Sequence, residues 1–286
     1  MTLLLAIGCA GPAEEAKDEA APATEAVAEP AQEEPAAEST FDRVMRTKIV
    51  RVGTQTSSAP AGFIDENGEL VGFDVDIAKE ICKRVGAEFQ HTEVNNTTRI
   101  TMLQSGQLDM TLANMTHKRE RDENIDFSIT YFFDGQKYLV PKGEYTKWED
   151  LVGKKISSMQ GTTSIKNSIE LMSKLGDAEA EKNHIGFQNE AEAYESLKSG
   201  RVAAMTTDSS LLVGVAANDP GAYELIGDYF SDEPYGIGLP ENNSDWRDAV
   251  NAALQDMWRD GTYAAIYNTW YGPDSKWSFP LTGKIE

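Results

Sequence analysis

The sequence of 286 residues predicts an α/β fold built as two similar halves, and three observations carry that prediction. Strand-like and helix-like segments alternate from residue 48 onward, the pattern of parallel sheets covered by helices on both faces. The alternation starts again near residue 154, so the architecture repeats. The loops that follow four of the strands, "GTQTSSAP", "ANMTHKRER", "MQGTTS" and "TTDSS", concentrate hydroxyls and charges. In parallel α/β sheets ligands lie beyond the carboxyl ends of the strands, on loops that a rigid scaffold displays.

The first set opens with a strand over 48–54, "KIVRVGT", and a turn over 65–70, "DENGEL", punctuated by Asn67-Gly68. Residues 74–86, "DVDIAKEICKRVG", repeat apolar side chains at helical spacing and stop at Gly86. A strand over 88–94, a helix over 97–106 closed by Gly106, and a strand over 107–116 complete the set. The second set runs strand 154–160, turn and helix 161–176, strand 183–189, helix 190–200, strand 201–208 and helix 209–218. A last strand, "YGIGLPE" over 235–241, precedes two helices over 244–261 and 262–272.

Composition excludes several functions. Hydrophobic residues make up 40% of the chain, as in a globular protein, while the net charge is −21. Phosphate recognition requires a basic face, so nucleic acid is not an expected partner. Residues 10–40 hold nine Asp/Glu against one Lys, and 15 of their 31 residues are Ala or Pro. Such a stretch buries too little apolar surface to offset its ordering entropy and is expected to be a disordered tether. Before it, Leu3–Ile7 is too short an apolar run to span a bilayer. With Gly8-Cys9 it resembles the end of a bacterial lipoprotein signal, residues 1–9, with Cys9 as the lipidated residue and membrane anchor. The charged segment that ordinarily opens such a signal is missing, as a truncated signal or a misplaced start would leave it.

Cys82, the other cysteine, falls at helical spacing beside Ile77 and Ile81 and is expected to be a small buried hydrophobe. Two such cysteines make no disulfide framework, and His91, His117 and His184 are scattered, so no metal site is expected. No nucleophile elbow appears, and "GIG" at 236–238 lacks a phosphate-loop context, so neither a cofactor nor catalysis is expected.

The phrases "VGFDVDIAKEI", "LQSGQLDM", "MTHKRERDENIDFS", "GTTS", "SGRVAAMTTD" and "PYGIGLP" occur in the order and spacing of a known family. From about residue 48 to 272 the chain resembles the bacterial periplasmic amino-acid-binding proteins of ABC importers. The resemblance implies a type II fold of two lobes, residues 41–137 with 234–286 and residues 138–233. Two crossover strands join them, with "QKYLVPK" and "YFSDEPYG" as hinges. It also implies an amino acid as ligand, a permease as partner, a monomer, and a place in the periplasm or cell envelope. In the family pattern the arginine after the glutamate takes the ligand's α-carboxylate, here Arg121, whose planar fork suits a carboxylate. Thr116 matches a hydroxyl that contacts the same carboxylate, and Asn114 a polar position beside it. The amides of Thr162 and Thr163 open a helix and are placed to donate to an anion, although a plain helix cap explains both threonines equally well. Asp208 matches the acid that takes the ammonium group, the alternative being a cap on the helix after it.

For the ligand side chain, the positions of two family aromatics are Ser58 and Asn96, neither of which can stack. Arg99 in "NNTTRI" resembles the aspartate/glutamate-binding branch, in which an arginine reaches the side-chain carboxylate; an exposed Arg99 is the alternative. The first strand-end loop offers Gln55 and Thr56 where that branch often has a second cation. Glutamate or aspartate is therefore expected first, with glutamine, asparagine or broad polar specificity next. A binding protein that reports an amino acid to a receptor would use the same residues. A dehydratase of the cyclohexadienyl type on the same fold would replace the ammonium-binding acid by glutamate, and this chain keeps Asp208.

Overall fold

The segment Ile49–Thr54 is strand β1, and its Val50 and Val52 point to one face of the sheet and are completely buried in the first core. The computed structural model describes residues 38–280 and Gly283, within one compact unit that begins at Glu38. The lipoprotein-type stretch with Cys9, and the tether up to residue 37, lie outside the described residues. The expected tether ends earlier than residue 40: Ser39 caps helix α1 (Thr40–Thr47) by accepting from Asp42 N at 3.1 Å.

A small antiparallel sheet follows β1, made of β2 (Ser57–Ser58), β3 (Gly62–Ile64) and β4 (Leu70–Val71). Helix α2 (Phe73–Arg84), strand β5 (Glu88–Glu93), helix α3 (Arg99–Gln104) and strand β6 (Met110–Thr111) complete the first set. The expected stop residues Gly86 and Gly106 take φ of +71° and +69°, as a left-handed helix end requires. The basic stretch that follows is a single turn, α4 (Arg119–Asp122).

Strand β7 (Asp126–Pro141) is 16 residues long and runs through the whole molecule. The second set comprises a 3-10 turn (Trp148–Leu151), β8 (Ile156–Met159), α5 (Thr163–Lys174), α6 (Ala180–Asn183), β9 (His184–Phe187), α7 (Glu190–Lys198), β10 (Ala204–Asp208), α8 (Ser209–Ala216) and β11 (Tyr223–Ile226). Strand β12 (Asp232–Leu239) returns along β7, and α9 (Ser244–Asp260) and α10 (Thr262–Tyr271) pack onto the first half.

Strand order is β5-β1-β6-β12-β7-β10-β8-β9, with β11 beside the end of β7. Pairings β1/β5, β1/β6, β8/β9 and β8/β10 are parallel, as expected, whereas β7 pairs antiparallel with β10, β11 and β12. The fold is thus α/β with two parallel cores stitched together by β7 and β12. The stretch "QKYLVPK" is paired to β10 and β11 inside the second half. The strands pass from one half to the other just before it, where Phe133–Gly135 face Asp232–Pro234.

The first core gathers Phe73, Tyr131, Phe132, Tyr235, Trp246, Tyr263 and Tyr271. Phe73 alone meets five aromatic rings; burying it contributes on the order of 2 kcal/mol. Cys82 is buried there, a free thiol whose pKa burial pushes up to about 12, which leaves it inert. The second half has two smaller clusters on either face of its sheet, around Leu139, Met205 and Leu212 and around Tyr138, Ile156 and Met172.

Candidate ligand-binding site

The carboxyl ends of β1, β6, β8 and β10 converge on one cavity, as the strand-end loops predicted. Gln55, Asn96, Arg99, Asn114, Thr116 and Arg121 line it from the first half; Thr162, Thr163 and Asp208 line it from the second. The structure thus brings together nine of the ten binding residues expected from the sequence. The space they leave is about 10 Å³, so the two halves stand close.

Arg121 crosses this space. Its guanidinium donates to Thr116 O at 2.8 Å and to Gly161 O, on the opposite wall, at 3.4 Å. Carbonyls fix the orientation of the fork without neutralising it. Burial lowers the Arg121 pKa, with the charges of Asp208 and Glu233 opposing. Of its basic neighbours, Arg119 is exposed, whereas His117 stacks on Phe127 with ring centroids 4.4 Å apart and Lys118 lies 3.8 Å from Glu233.

Arg99 is not an exposed helix-start arginine: it is 2% exposed and donates to the carbonyls of Ala113 and Asn114, with Nε left without a partner. Burial, reinforced by the charge of Arg121, lowers its pKa to about 9. Asn114 adopts a left-handed φ of +50°; its N–H donates to Asp74 at 3.0 Å and its side chain to Gln55 at 3.1 Å. Gln55 in turn donates to Asn96 at 2.9 Å, so these three amides form one oriented chain.

Asp208 is 5% exposed and accepts from Gln136 at 3.0 Å and from the Tyr235 hydroxyl at 2.6 Å. It stands at the start of α8 but makes no capping bond. That task falls to Asp134 of β7, which accepts from the N–H groups of Ser209 and Ser210. Burial pushes the Asp208 carboxyl up to about 8, helped by the neighbouring charges of Glu233 and Asp134. A buried carboxyl with no cation on it is poised to receive one.

Thr162 is the N-cap of α5 by position, yet its hydroxyl donates to Met159 O at 2.7 Å and caps nothing. The Thr163 hydroxyl donates to Glu233 at 2.9 Å and accepts from Gln136 at 2.9 Å. Ser58 does not line this cavity: it lines a neighbouring one together with Glu190.

Two acids were missed by the sequence reading. Glu233 is completely buried on β12 and accepts from Thr116 at 2.5 Å, Thr163 and Asn167, tying both halves together. Glu190, the first residue of α7, lines the same cavity as Arg99, Gln55 and Asn96. Burial pushes its carboxyl up to about 8, with Ser58 opposing. A sequence signal for Glu190 exists, because it follows strand β9 on a fifth strand-end loop, "QNEAE", but it has the form of ordinary helix-start acidity.

Residues 50–273 match the family described as bacterial extracellular solute-binding proteins, family 3. The chain is 39% identical over 213 residues to an ABC transporter glutamine-binding protein of Bacillus subtilis, covering 73% of this chain and 75% of the relative. It is 26% identical over 249 residues to a glutamate/aspartate import solute-binding protein of Salmonella typhimurium, covering 83% and 81%. An ancestral arginine-binding protein bound to glutamine superposes with a TM-score of 0.71 at 39% identity, covering 79% of this chain and 98% of that one. The chain belongs to the bacterial extracellular solute-binding proteins of family 3.

Proposed function

We propose that the chain captures a polar α-amino acid between its two halves outside the cytoplasm and delivers it to an ABC importer, with glutamine ahead of glutamate or aspartate. The observation that carries this reading is the charge arrangement of the cavity. Arg121, held by neutral carbonyls, suits an α-carboxylate, and the buried Asp208 suits an ammonium group. The backbone amides of Thr162 and Thr163 complete the carboxylate end, and Thr116, whose hydroxyl donates to Glu233, lines it. Residues 41–137 with 234–286, and residues 138–233, serve as lobes, and the crossing of β7 and β12 serves as their hinge. A lipid on Cys9, followed by the acidic stretch 10–37, holds the protein at a membrane.

The side-chain end decides between ligands. Arg99 offers a donor to a side-chain oxygen. In either protonation state Glu190 keeps an acceptor for an amide N–H, whereas a side-chain carboxylate is tolerated only while Glu190 holds its proton. The Bacillus subtilis relative named for glutamine points the same way. Thermal shift against each of the twenty amino acids at pH 7.5 should therefore give glutamine the largest rise. Glutamate should lose affinity as pH rises through about 8 while glutamine keeps its own. Glu190→Gln should remove that pH dependence and move the preference toward glutamate by about tenfold, roughly 1.4 kcal/mol. An unchanged ranking in that variant would remove Glu190 from the side-chain pocket.

A further inference from the structure

The two halves meet in two places through glycines of the second half set against backbone of the first. Gly214, in the middle of α8, faces Ala59 in the loop between β2 and β3. A Cβ built on it would lie well inside 3.0 Å of the Ala59 carbonyl oxygen and 2.9 Å from its carbon. Gly161, after β8, faces Asn96: a Cβ there would lie 2.8 Å from the Asn96 carbonyl oxygen. Real Cβ atoms essentially never stand that close, and in both places the obstacle is backbone. The Ala59 loop is also braced, because Pro60 O and Ala61 O accept from the N–H groups of Phe73 and Asp74 at the start of α2, at 2.9 Å each. Asp74 in turn holds Asn114 in the cavity wall.

We propose that Gly214 and Gly161 are the closure stops of this protein: the absence of a side chain at each sets how far the halves approach, and with it how tightly the amino acid is enclosed. The inference rests on the reading that the halves close around an amino acid; it does not depend on which one. Gly214 gives the cleaner test. Its φ is not among the left-handed ones, so alanine suits the helix there and by propensity strengthens it. Gly161 has φ +74°, where any other residue adds backbone strain of its own. A methyl at position 214 therefore opposes only the approach of the Ala59 loop, which must retreat by roughly 1 Å to restore ordinary contact.

The test compares the wild-type full chain with Gly214→Ala in three measurements. These are unliganded melting temperature, thermal shift and calorimetric affinity across the twenty amino acids, and small-angle scattering with and without the amino acid that shifts the wild type most. The variant is expected to melt, without ligand, at or above the wild-type temperature. It should bind the same amino acid at least tenfold more weakly, and with ligand its radius of gyration should stay above that of the liganded wild type. Affinity within twofold together with wild-type contraction overturns the proposal. So does a marked fall in unliganded melting temperature, which would make the Ala59–Gly214 contact a part of the fold itself and not of closure. If an amino acid other than glutamine shifts the wild type most, the specificity reading falls and the glycine comparison is decided with that amino acid.

Discussion

Arg121→Ala is expected to raise the dissociation constant for the preferred amino acid by at least a hundredfold, roughly 3 kcal/mol. The size follows from what surrounds the vacated position. A ligand carboxylate entering this cavity meets Thr116, whose hydroxyl already donates to Glu233, and lies in the field of two buried acids, Glu233 and Asp208. Without the guanidinium it is a buried anion among anions, and a charge-assisted pair lost on one side costs more than a neutral hydrogen bond. The fold should survive, because Arg121 supports only two backbone carbonyls and belongs to no core cluster. Titration calorimetry with circular dichroism on the same sample checks both halves of the expectation. Arg121→Lys should recover part of the loss and not all of it, since an ammonium cannot span a carboxylate with two parallel bonds. Affinity within threefold of wild type in Arg121→Ala would place the carboxylate elsewhere.

How far the sequence reveals this site depends on the kind of residue. Strands such as Ile49–Thr54 and helices such as Phe73–Arg84 and Ser244–Asp260 carry their periodicity in local sequence, and the strand-end loops follow from them. Arg121, Asp208 and Arg99 stood out because a motif or an ill-fitting charge marked them. The 16-residue strand β7 was legible only in part: it changes partners midway, from β12 to β10 and β11, so its burial follows two different cores in turn. The capping of α8 by Asp134, the anchoring of Asn114 by Asp74 and the Glu233 link between halves join residues 40 or more positions apart. No spacing rule encodes such pairs, and an acid on a strand reads as an ordinary solvent-facing residue until the fold buries it. The same holds for Gly214, which in sequence is only a small residue in an apolar helix.

Asp208→Asn should separate the ligand's ammonium group from the stability of the protein that receives it. In the unliganded wild type the Asp208 carboxyl is pushed up to about 8, first by burial and then by Glu233 and Asp134. In the unfolded chain it ionises near the ordinary aspartate value of about 4. A folded value above the unfolded one means stability that is complete below pH 4 and lost as pH rises toward 8. Asparagine has no proton to lose, and it can still accept from Gln136. The variant without ligand should thus match the wild type near pH 4 and melt above it at pH 7.5. Binding moves the other way. An ammonium group arriving beside Asp208 favours its charged form, so at pH 6.5 the wild type should release close to one proton per amino acid bound, and the variant close to none. Calorimetric enthalpies measured in phosphate and in Tris would then differ for the wild type alone. The variant should also lose at least a hundredfold in affinity, since the ammonium would meet a neutral amide in a cavity that keeps Arg99 and Arg121 nearby. An enthalpy independent of buffer in the wild type would mean that Asp208 enters the complex in the protonation state it already had, and the ammonium group could then be assigned to neither Asp208 nor Glu190, whose carboxyl is raised to about 8 as well.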